Sequence, residues 1–315
     1  MIPVFSGKNP LRIGTRGSPL ALVQAKQVAA RLRAAHALEA GAVEIVPITT
    51  SGDKEQVQPL ADIGGKGLFA VELEEALGAG RIHLAVHSMK DVETALDPAF
   101  EIAAMLPRED TRDAWLSPVA AHPRDLPPGA VVGTASRRRA AQIKAMRPDI
   151  AIVNFRGNVH TRIDKLAAGK VAGTLLALAG LKRLGLADQA TCVLNPPEMI
   201  PAVGQGAIGV EICRDADDVR AAVAVLDDAE TSLCVACERA MLAELDGTCR
   251  TPIGGHAALN AQGQVTLTAV LLSDDGSQAF RFDGAAPAAQ AQAMGARAGA
   301  ALKRQAGADF IANMA

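Results

Sequence analysis

The chain has 315 residues, is 49% hydrophobic and 21% charged, and carries a formal net charge of -2. That length suits two or three domains. No apolar run approaches the roughly 20 residues that a membrane-spanning helix needs, and the N-terminus lacks the pattern of a secretory signal. Five cysteines, an odd number without a signal, indicate reduced thiols in the cytoplasm. We therefore expect no membrane partner. The near-neutral charge and the lack of tyrosine also disfavour nucleic acid as a partner.

Strands alternate with helices over the first two thirds of the chain. The first set is strand 11–14, a helix from Ser18 to about His36, strand 43–49, helix 68–77 and strand 84–87. The proline-rich stretch 122–129 is expected to separate it from a second set. That second set is strand 130–133, helix 136–146, strand 150–153, helix 159–168 and strand 174–178.

The last third differs, with helix 229–245, a glycine- and proline-bounded loop, strands 257–259, 265–271 and 278–282, and an alanine-rich helix. The predicted fold class is therefore α/β, with two α/β lobes and a small C-terminal α+β domain. In such lobes, ligands bind in the loops at the carboxyl ends of the strands.

Arginines stand at helix starts, where cations oppose the helix dipole. Arg137, Arg138 and Arg139 fall in one first turn, Arg16 precedes Ser18, and Arg156 precedes Gly157-Asn158, with Arg162 one turn further. Any one of them fits a solvated face. Together they predict a cleft for a ligand with several carboxylates or phosphates, which arginine binds bidentately.

Lys90 and Asp91 directly follow the strand that ends at His87. They fit a plain surface pair, but this is also where an acid/base carboxylate would stand. The loop 64–67, Gly-Gly-Lys-Gly, lacks the spacing of a phosphate loop, and we interpret it as a flexible lid with a basic tip.

Cys249 lies in Leu245-Asp-Gly-Thr-Cys-Arg-Thr-Pro-Ile-Gly254, an exposed turn. It is either a tolerated loop cysteine or a thiol placed for chemistry or attachment. Cys234 and Cys237 form a C-x-x-C that, with Cys249 and His256, suggests zinc. Both fall on the apolar side of a helical run, so core packing is the favoured interpretation, and we expect no metal.

Several motifs together carry a family resemblance. They are Arg12-Ile-Gly-Thr-Arg-Gly-Ser-Pro-Leu-Ala-Leu22, Gly64-Gly-Lys-Gly-Leu-Phe69, Ala85-Val-His-Ser-Met-Lys-Asp91, Gly133-Thr-Ala-Ser-Arg-Arg-Arg139, Arg156-Gly-Asn-Val159, Pro201-Ala-Val-Gly-Gln-Gly-Ala207 and Gly247-Thr-Cys-Arg-Thr-Pro-Ile-Gly254. In this order they resemble the porphobilinogen deaminase (hydroxymethylbilane synthase) family. The resemblance implies two periplasmic-binding-protein-like lobes, with the chain crossing back near Pro201–Gln205. Domain 1 would comprise residues 1–106 and 203–225, domain 2 residues 107–202, and domain 3 residues 226–315.

The resemblance also implies a cytoplasmic, monomeric transferase of tetrapyrrole (heme) biosynthesis. Its dipyrromethane cofactor, made from two porphobilinogen units, would be bound through a thioether to Cys249. The enzyme would add four more porphobilinogen units head to tail, release ammonia each time, and then release 1-hydroxymethylbilane.

Individual residues match the family's functional positions. Asp91 matches the catalytic aspartate, which would help to expel the aminomethyl nitrogen. The cofactor-binding matches are Cys249, Ser88, Lys90, Thr134, Ser136, Arg138 and Arg139. The substrate-binding matches are Arg16, Ser18, Gln24, Arg156, Asn158, Arg162 and Gln205, and the lid matches are Lys66 and Phe69. Arg137 replaces an apolar residue often found there and is expected to face solvent.

An alternative from another class is a two-lobed binding protein for a polycarboxylate ligand, without catalysis. It explains the lobes and the arginines. It does not explain the Cys249 loop, and such proteins usually carry an export signal.

Overall fold

The computed structural model describes residues 5–54, 70–246 and 251–312. The strands are β1 Leu11–Arg16, β2 Val43–Ile48, β3 Leu84–Ser88, β4 Phe100–Met105, β5 Asp113–Leu116, β6 Val131–Gly133, β7 Ala151–Val153, β8 Gly173–Ala177, β9 Cys192–Leu194, β10 Ile208–Cys213, β11 Ile253–Leu259, β12 Gln264–Leu272 and β13 Ala279–Pro287. The helices are α1 Pro19–His36, α2 Ser51–Lys54, α3 Val71–Gly78, α4 Arg137–Met146, α5 Val159–Ala167, α6 Leu178–Arg183, α7 Asp217–Val223, α8 Ala229–Glu244, α9 Ala291–Ala306 and α10 Ala308–Ala312.

The predicted strands and helices are present with small shifts at their ends. Local signals explain this agreement: Ser18 caps α1, and its hydroxyl accepts the N–H of Ala21. Four strands, β4, β5, β9 and β10, and four helices, α2, α6, α7 and α10, were not predicted. Several of these elements are short, and β5 and β10 carry the fully buried acidic residues Asp113 and Glu211, which interrupt an apolar pattern.

The chain divides into two compact units. Within the described residues, the first unit comprises 5–54, 70–109 and 207–232, and the second comprises 110–206, 233–246 and 251–312. The predicted division into three domains is finer than these two units and stays a prediction.

The first unit is built on a five-stranded sheet in the order β2-β1-β3-β10-β4. β1 runs parallel to β2 and β3, while β10 runs antiparallel to β3 and β4. Helix α1 covers one face with the buried side chains of Ala25, Val28, Ala29 and Leu32, which recur at helical spacing. The parallel strands therefore bring the chain segments that follow β1 and β3 to the same edge of the sheet.

The second unit contains a sheet of the same plan, in the order β7-β6-β8-β5-β9. β6 runs parallel to β7 and β8, and β5 is antiparallel to β8 and β9. Because β5 already belongs to this sheet, the proline-rich stretch 122–129 does not separate the two strand sets, and that expectation was wrong. The sequence analysis missed β5 because it is a run of only four residues that begins with an aspartate.

The C-terminal part of the second unit is the expected small α+β domain. Its three strands form an antiparallel sheet in the order β11-β12-β13. Helices α8 and α9 pack on this sheet through a core that includes Cys237, Met241, Met294 and Leu302. The two α/β lobes and this domain give the predicted fold class.

The C-terminal domain packs against helix α4 of the second lobe. Ala141 and Ile200 cluster with Val270 and Leu272 of β12. In the turn after β12, Gly276 has a φ of +71°, and a β-carbon there would lie 2.4 Å from the carbonyl oxygen of Ala141. Arg137 was expected to face solvent. It is only partly exposed, and its Nη1 lies 3.5 Å from Asp274 Oδ2 of the same turn.

Candidate active site

Two predicted site residues meet at the carboxyl edge of the first unit's sheet. Gln24 lies on α1 with a side chain only 3% exposed, and Ser88 is the last residue of β3. Gln24 Nε2 donates to Ser88 Oγ at 2.8 Å. Arg16 ends the parallel strand β1 and is half-buried, followed by the helix cap Ser18. The structure thus brings Gln24 and Ser88 into contact and places Arg16 and Ser18 at the same sheet edge.

Asp91 lies on a single 3-10 turn, Met89–Asp91, directly after β3. The turn is anchored by Met89, whose side chain is buried and whose N–H donates to the Ala207 carbonyl at 3.0 Å. Asp91 itself is exposed, and Lys90 beside it is half-exposed. A buried anchor next to an exposed carboxylate fixes the backbone while leaving the acid group accessible to a ligand.

A buried histidine–glutamate pair lies behind this turn. His87 Nε2 is 2.8 Å from Glu211 Oε2, and both side chains are buried, at 8% and 1% exposure. Because side chains alternate along a strand, His87 points to the opposite face of β3 from Ser88. Burial, followed by the negative charge of Glu211, raises the pKa of nearby Glu74. No role was predicted for Glu211, whose only signal in the sequence is an acidic residue inside the apolar run 208–213.

The predicted polar residues of the second unit also stand at strand ends. Thr134 and Ser136 follow β6, and Asn158 follows the parallel strand β7. Ser136 caps α4 by accepting the N–H of Arg139, and Asn158 caps α5 by accepting the N–H of Thr161. Thr134 Oγ1 accepts the N–H of Ser136 at 3.1 Å. These side chains organise the loops at this edge.

Arg156 and Arg162 lie around the same turn as Asn158. Both are half-buried, and Arg162 Nε donates to the carbonyl of Gly157 at 2.9 Å. Gly157 has a φ of +125°, which favours glycine, and a β-carbon there would lie 2.8 Å from the side chain of Thr161. The turn therefore holds the Arg162 guanidinium against its own backbone.

Arg138 and Arg139 are buried, at 4% and 5% exposure, and they share one carboxylate. Asp113 is fully buried at the start of β5, and its Oδ2 accepts Arg138 Nη1 at 2.8 Å. Its Oδ1 accepts Arg139 Nη2 at 2.6 Å and Nε at 3.0 Å. Burial alone would raise the pKa of Asp113, but the two arginines outweigh it and hold that pKa well below its ordinary value.

Gln205 joins this cluster from residues 200–205, which lie between β9 and β10 and are called the crossover segment. Its Nε2 donates to the carbonyl of Thr111 at 2.7 Å and to Asp113 Oδ1 at 3.1 Å, and its side chain is 1% exposed. The sequence analysis placed Gln205 with the substrate, whereas its amide group here contacts Asp113. Asp113 itself was missed, because the sequence offers only an aspartate at the head of a short apolar run.

The cluster suits a further carboxylate. Two arginines and one aspartate leave a net charge of +1 (2 − 1) in a buried setting. Within the described residues, Arg138 Nε is buried and has no hydrogen-bond partner. A buried donor without a partner costs about 1–3 kcal/mol, so the described residues do not fully satisfy the cluster.

The crossover segment connects the arginines with the C-terminal domain. The Ile200 carbonyl accepts Arg138 Nη1 at 2.6 Å and Gln142 Nε2 at 3.0 Å. The next carbonyl, that of Pro201, accepts the N–H of Gly255 in β11 at 2.9 Å. One short segment therefore bonds both to the arginine cluster and to the strand that follows the Cys249 loop in the sequence.

The two cysteines of the C-x-x-C pack in the core, as predicted. Cys234 and Cys237 are 3% and 0% exposed and lie within the apolar cluster of α8, α9 and the C-terminal sheet. Burial raises the pKa of Cys237 to about 12. Across residues 5–54, 70–246 and 251–312, no three His, Cys, Asp or Glu side chains are grouped as metal ligands. In the same ranges no helix is long and apolar enough to span a bilayer.

Three predicted site residues, Lys66, Phe69 and Cys249, lie outside the described residues. Their roles as lid and attachment point stay predictions.

Two family models match the chain. Residues 11–221 match "Porphobilinogen deaminase, dipyromethane cofactor binding domain", and residues 232–304 match "Porphobilinogen deaminase, C-terminal domain". The first match includes every predicted site residue except Cys249, together with Asp113 and Glu211. The second lies within α8 to α9.

Curated relatives with the same name match nearly the full chain. Porphobilinogen deaminase of Nitrobacter hamburgensis is 51% identical over 299 residues, covering 95% of this chain and 94% of that protein. The Paracoccus denitrificans protein is 50% identical and covers 96% and 97%, respectively. The chloroplastic protein of Oryza sativa subspecies japonica is 50% identical and covers 96% and 85%.

Solved structures with some likeness include the methionine-binding protein MetQ. It is 13% identical, with a TM-score of 0.45, covering 70% of this chain and 91% of that one. The two α/β lobes follow from the strand orders of the two sheets.

Proposed function

Since the chain belongs to the porphobilinogen deaminase family, we propose that Asp91 carries out the family's reaction and that Arg138 and Arg139 hold the family's dipyrromethane cofactor. The protein is a transferase of tetrapyrrole biosynthesis. It joins four porphobilinogen molecules head to tail onto a covalent dipyrromethane primer, releasing ammonia and then 1-hydroxymethylbilane. The observation that carries this function is the match of both family models, in order, over residues 11–221 and 232–304.

Asp91 is proposed to stabilise positive charge on the substrate. When ammonia leaves the aminomethyl group of porphobilinogen, positive charge develops on the pyrrole ring, and a fixed carboxylate lowers the energy of that state. The same carboxylate can hold the proton that passes to the leaving nitrogen. The anchored turn and the exposed side chain of Asp91 support this role.

When bound, dipyrromethane supplies the pyrrole carbon to which the first substrate is joined. Cys249 is proposed to carry it through a thioether, and Ser88, Lys90, Thr134, Ser136, Arg138 and Arg139 are proposed to bind its polar groups. Two observations support the two arginines most directly: the net charge of +1 on the cluster of Arg138, Arg139 and Asp113, and an Arg138 Nε that has no hydrogen-bond partner within the described residues.

The carboxylates of the substrate and the growing chain require further cations and donors. Each pyrrole unit brings two carboxylates, and Arg16, Arg156 and Arg162 are half-buried at strand ends, where such groups bind. Ser18 and Asn158 are proposed to assist them. Gln24 and Gln205 are buried, so we propose that they act through Ser88 and Asp113. Lys66 and Phe69 are retained as the proposed lid.

We also propose that the enzyme is a cytoplasmic monomer without a nucleic-acid or membrane partner. Within the described residues, Cys192, Cys213, Cys234 and Cys237 form no disulfide, which supports a reducing compartment. The alternative of a two-lobed binding protein without catalysis leaves the match over residues 232–304 unexplained.

The decisive measurement is the intact mass of the denatured protein. We expect an excess over the 32.5 kDa chain equal to two linked pyrrole units, and we expect Cys249→Ser to lack it. Cys192→Ser is the matched control, since that half-buried thiol should leave the excess unchanged. A fully active wild type with the unmodified mass would overturn the proposed function.

A further inference from the structure

Asp113 accepts four hydrogen bonds from three side chains of the second unit. Arg138 contributes one, Arg139 two and Gln205 one, at distances between 2.6 and 3.1 Å. The carboxylate is 0% exposed, so water does not compete for these donors. A fully buried carboxylate is tolerated only with such compensation.

The same bonds fix the orientation of both guanidinium groups. Arg139 is held by Asp113 at Nε and Nη2 and by the carbonyl of Leu175 at Nη1, 3.0 Å away. Arg138 is held at Nη1 by Asp113 and by the carbonyl of Ile200. Its Nε stays buried without a partner in the part of the chain that the structure describes. Asp113 therefore determines which donors remain for a ligand.

The charges of Arg138, Arg139 and Asp113 also determine which ligand the cluster suits. Two adjacent buried arginines repel each other, and burial lowers the pKa of Arg138 while Asp113 opposes that shift. With Asp113 ionised, the cluster keeps a single net positive charge, which matches one carboxylate.

From these contacts we infer that Asp113 is a positioning residue for the covalent cofactor. It orients Arg138 and Arg139 and cancels one of their two charges, so that the pair receives one carboxylate of the dipyrromethane in a fixed geometry. This inference rests on the proposed function. The opposite role is that of an internal anion that occupies the arginines and blocks the ligand. The two roles predict opposite effects on the rate of cofactor assembly when the negative charge of Asp113 is removed.

The test follows cofactor assembly in time. Wild type and Asp113→Asn are produced without cofactor in a host unable to make porphobilinogen, and are then incubated with porphobilinogen. Folded protein is isolated by size-exclusion chromatography, and its intact mass gives the fraction that carries the two-pyrrole excess. We expect Asp113→Asn to assemble its cofactor about tenfold more slowly or worse, because misplaced groups lose their advantage in orientation. Asp188→Asn, an exposed aspartate of the same unit, should match wild type.

A merely structural role would lower the unfolding temperature but leave the assembly rate of the folded fraction unchanged. Assembly by Asp113→Asn at the wild-type rate or faster overturns the inference alone, whereas a wild type that gains no mass overturns the proposed function with it. If Asp113→Asn does not fold, Gln205→Met carries the same test. It removes one bond to Asp113 without changing charge, and should slow assembly about threefold. An unchanged rate there overturns the inference.

Discussion

Glu238 Oε2 accepts the backbone N–H of Gly204 at 2.7 Å, while its Oε1 accepts the N–H of Ala257 at 2.8 Å. The side chain is fully buried on α8. One carboxylate therefore satisfies a donor of the crossover segment and a donor of β11, whose first residue lies four positions after Cys249 in the sequence. The arginine cluster bonds to the same crossover segment through Ile200.

Replacing Glu238 by alanine should destabilise the second unit. The change leaves two buried N–H groups without an acceptor, each costing about 1–3 kcal/mol. Urea unfolding should show that the free energy of unfolding falls by several kcal/mol. Glu244→Gln is the matched control, since Glu244 is exposed on the same helix and its change should stay within about 0.5 kcal/mol of wild type. Equal stability of Glu238→Ala and Glu244→Gln would contradict the bridging role.

Gly276 and Gly263 form a second matched pair, because both have a positive φ near +70° in turns of the C-terminal sheet. A β-carbon at Gly276 meets Ala141 and Ala145 of α4, at 2.4 and 2.5 Å, whereas nothing lies within 4 Å at Gly263. Gly263→Ala should cost only the backbone strain, about 1–2 kcal/mol. Gly276→Ala should cost about 1–3 kcal/mol more from overpacking. Thermal unfolding of both variants checks this, and equal losses would show that the turn does not pack tightly on α4.

Asp91→Asn should fold like wild type but lose at least about a hundredfold in turnover, since a neutral amide neither stabilises a cation nor exchanges a proton. Its side chain is exposed, so the substitution should leave the fold unchanged. The measurement is steady-state formation of hydroxymethylbilane, with circular dichroism as the folding check. Asp215→Asn, an exposed aspartate of the same unit, serves as the control and should retain full turnover. Near-normal rates in pure Asp91→Asn would remove Asp91 from its catalytic role.

The lowered pKa of Asp110 predicts that the stability of the protein depends on pH. The hydrogen bonds from Arg112 lower its pKa from 3.8 to about 2. A pKa depressed on folding adds stability above the unfolded value, and that stability is lost as the pH falls through the folded value. The difference in unfolding free energy between wild type and Asp110→Asn should therefore be constant at neutral pH and vanish between 3.8 and about 2. Urea titrations over this range test the trend, with the exposed Asp188→Asn as control. A difference that does not depend on pH would refute it.

Local chemistry explains what the sequence predicted well. The caps Ser18, Ser136 and Asn158 each bond a backbone N–H three residues onward, so the contact depends only on neighbouring residues. The packing of Cys234 and Cys237 followed from helical spacing in the same way. The family motifs likewise identified the residue types of the site.

The sequence by itself therefore determined the α/β alternation, the helix starts, the family and the acidic, basic and thiol groups on which the chemistry depends. Only the tertiary structure decided which groups meet. Asp113 and Arg138 are 25 residues apart, Asp113 and Gln205 are 92 apart, and His87 and Glu211 are 124 apart. Those contacts arise because β5 and β10 insert antiparallel beside strands from distant parts of the chain. Which strands become neighbours in a sheet depends on the free energy of the whole fold, so no short sequence pattern encodes it.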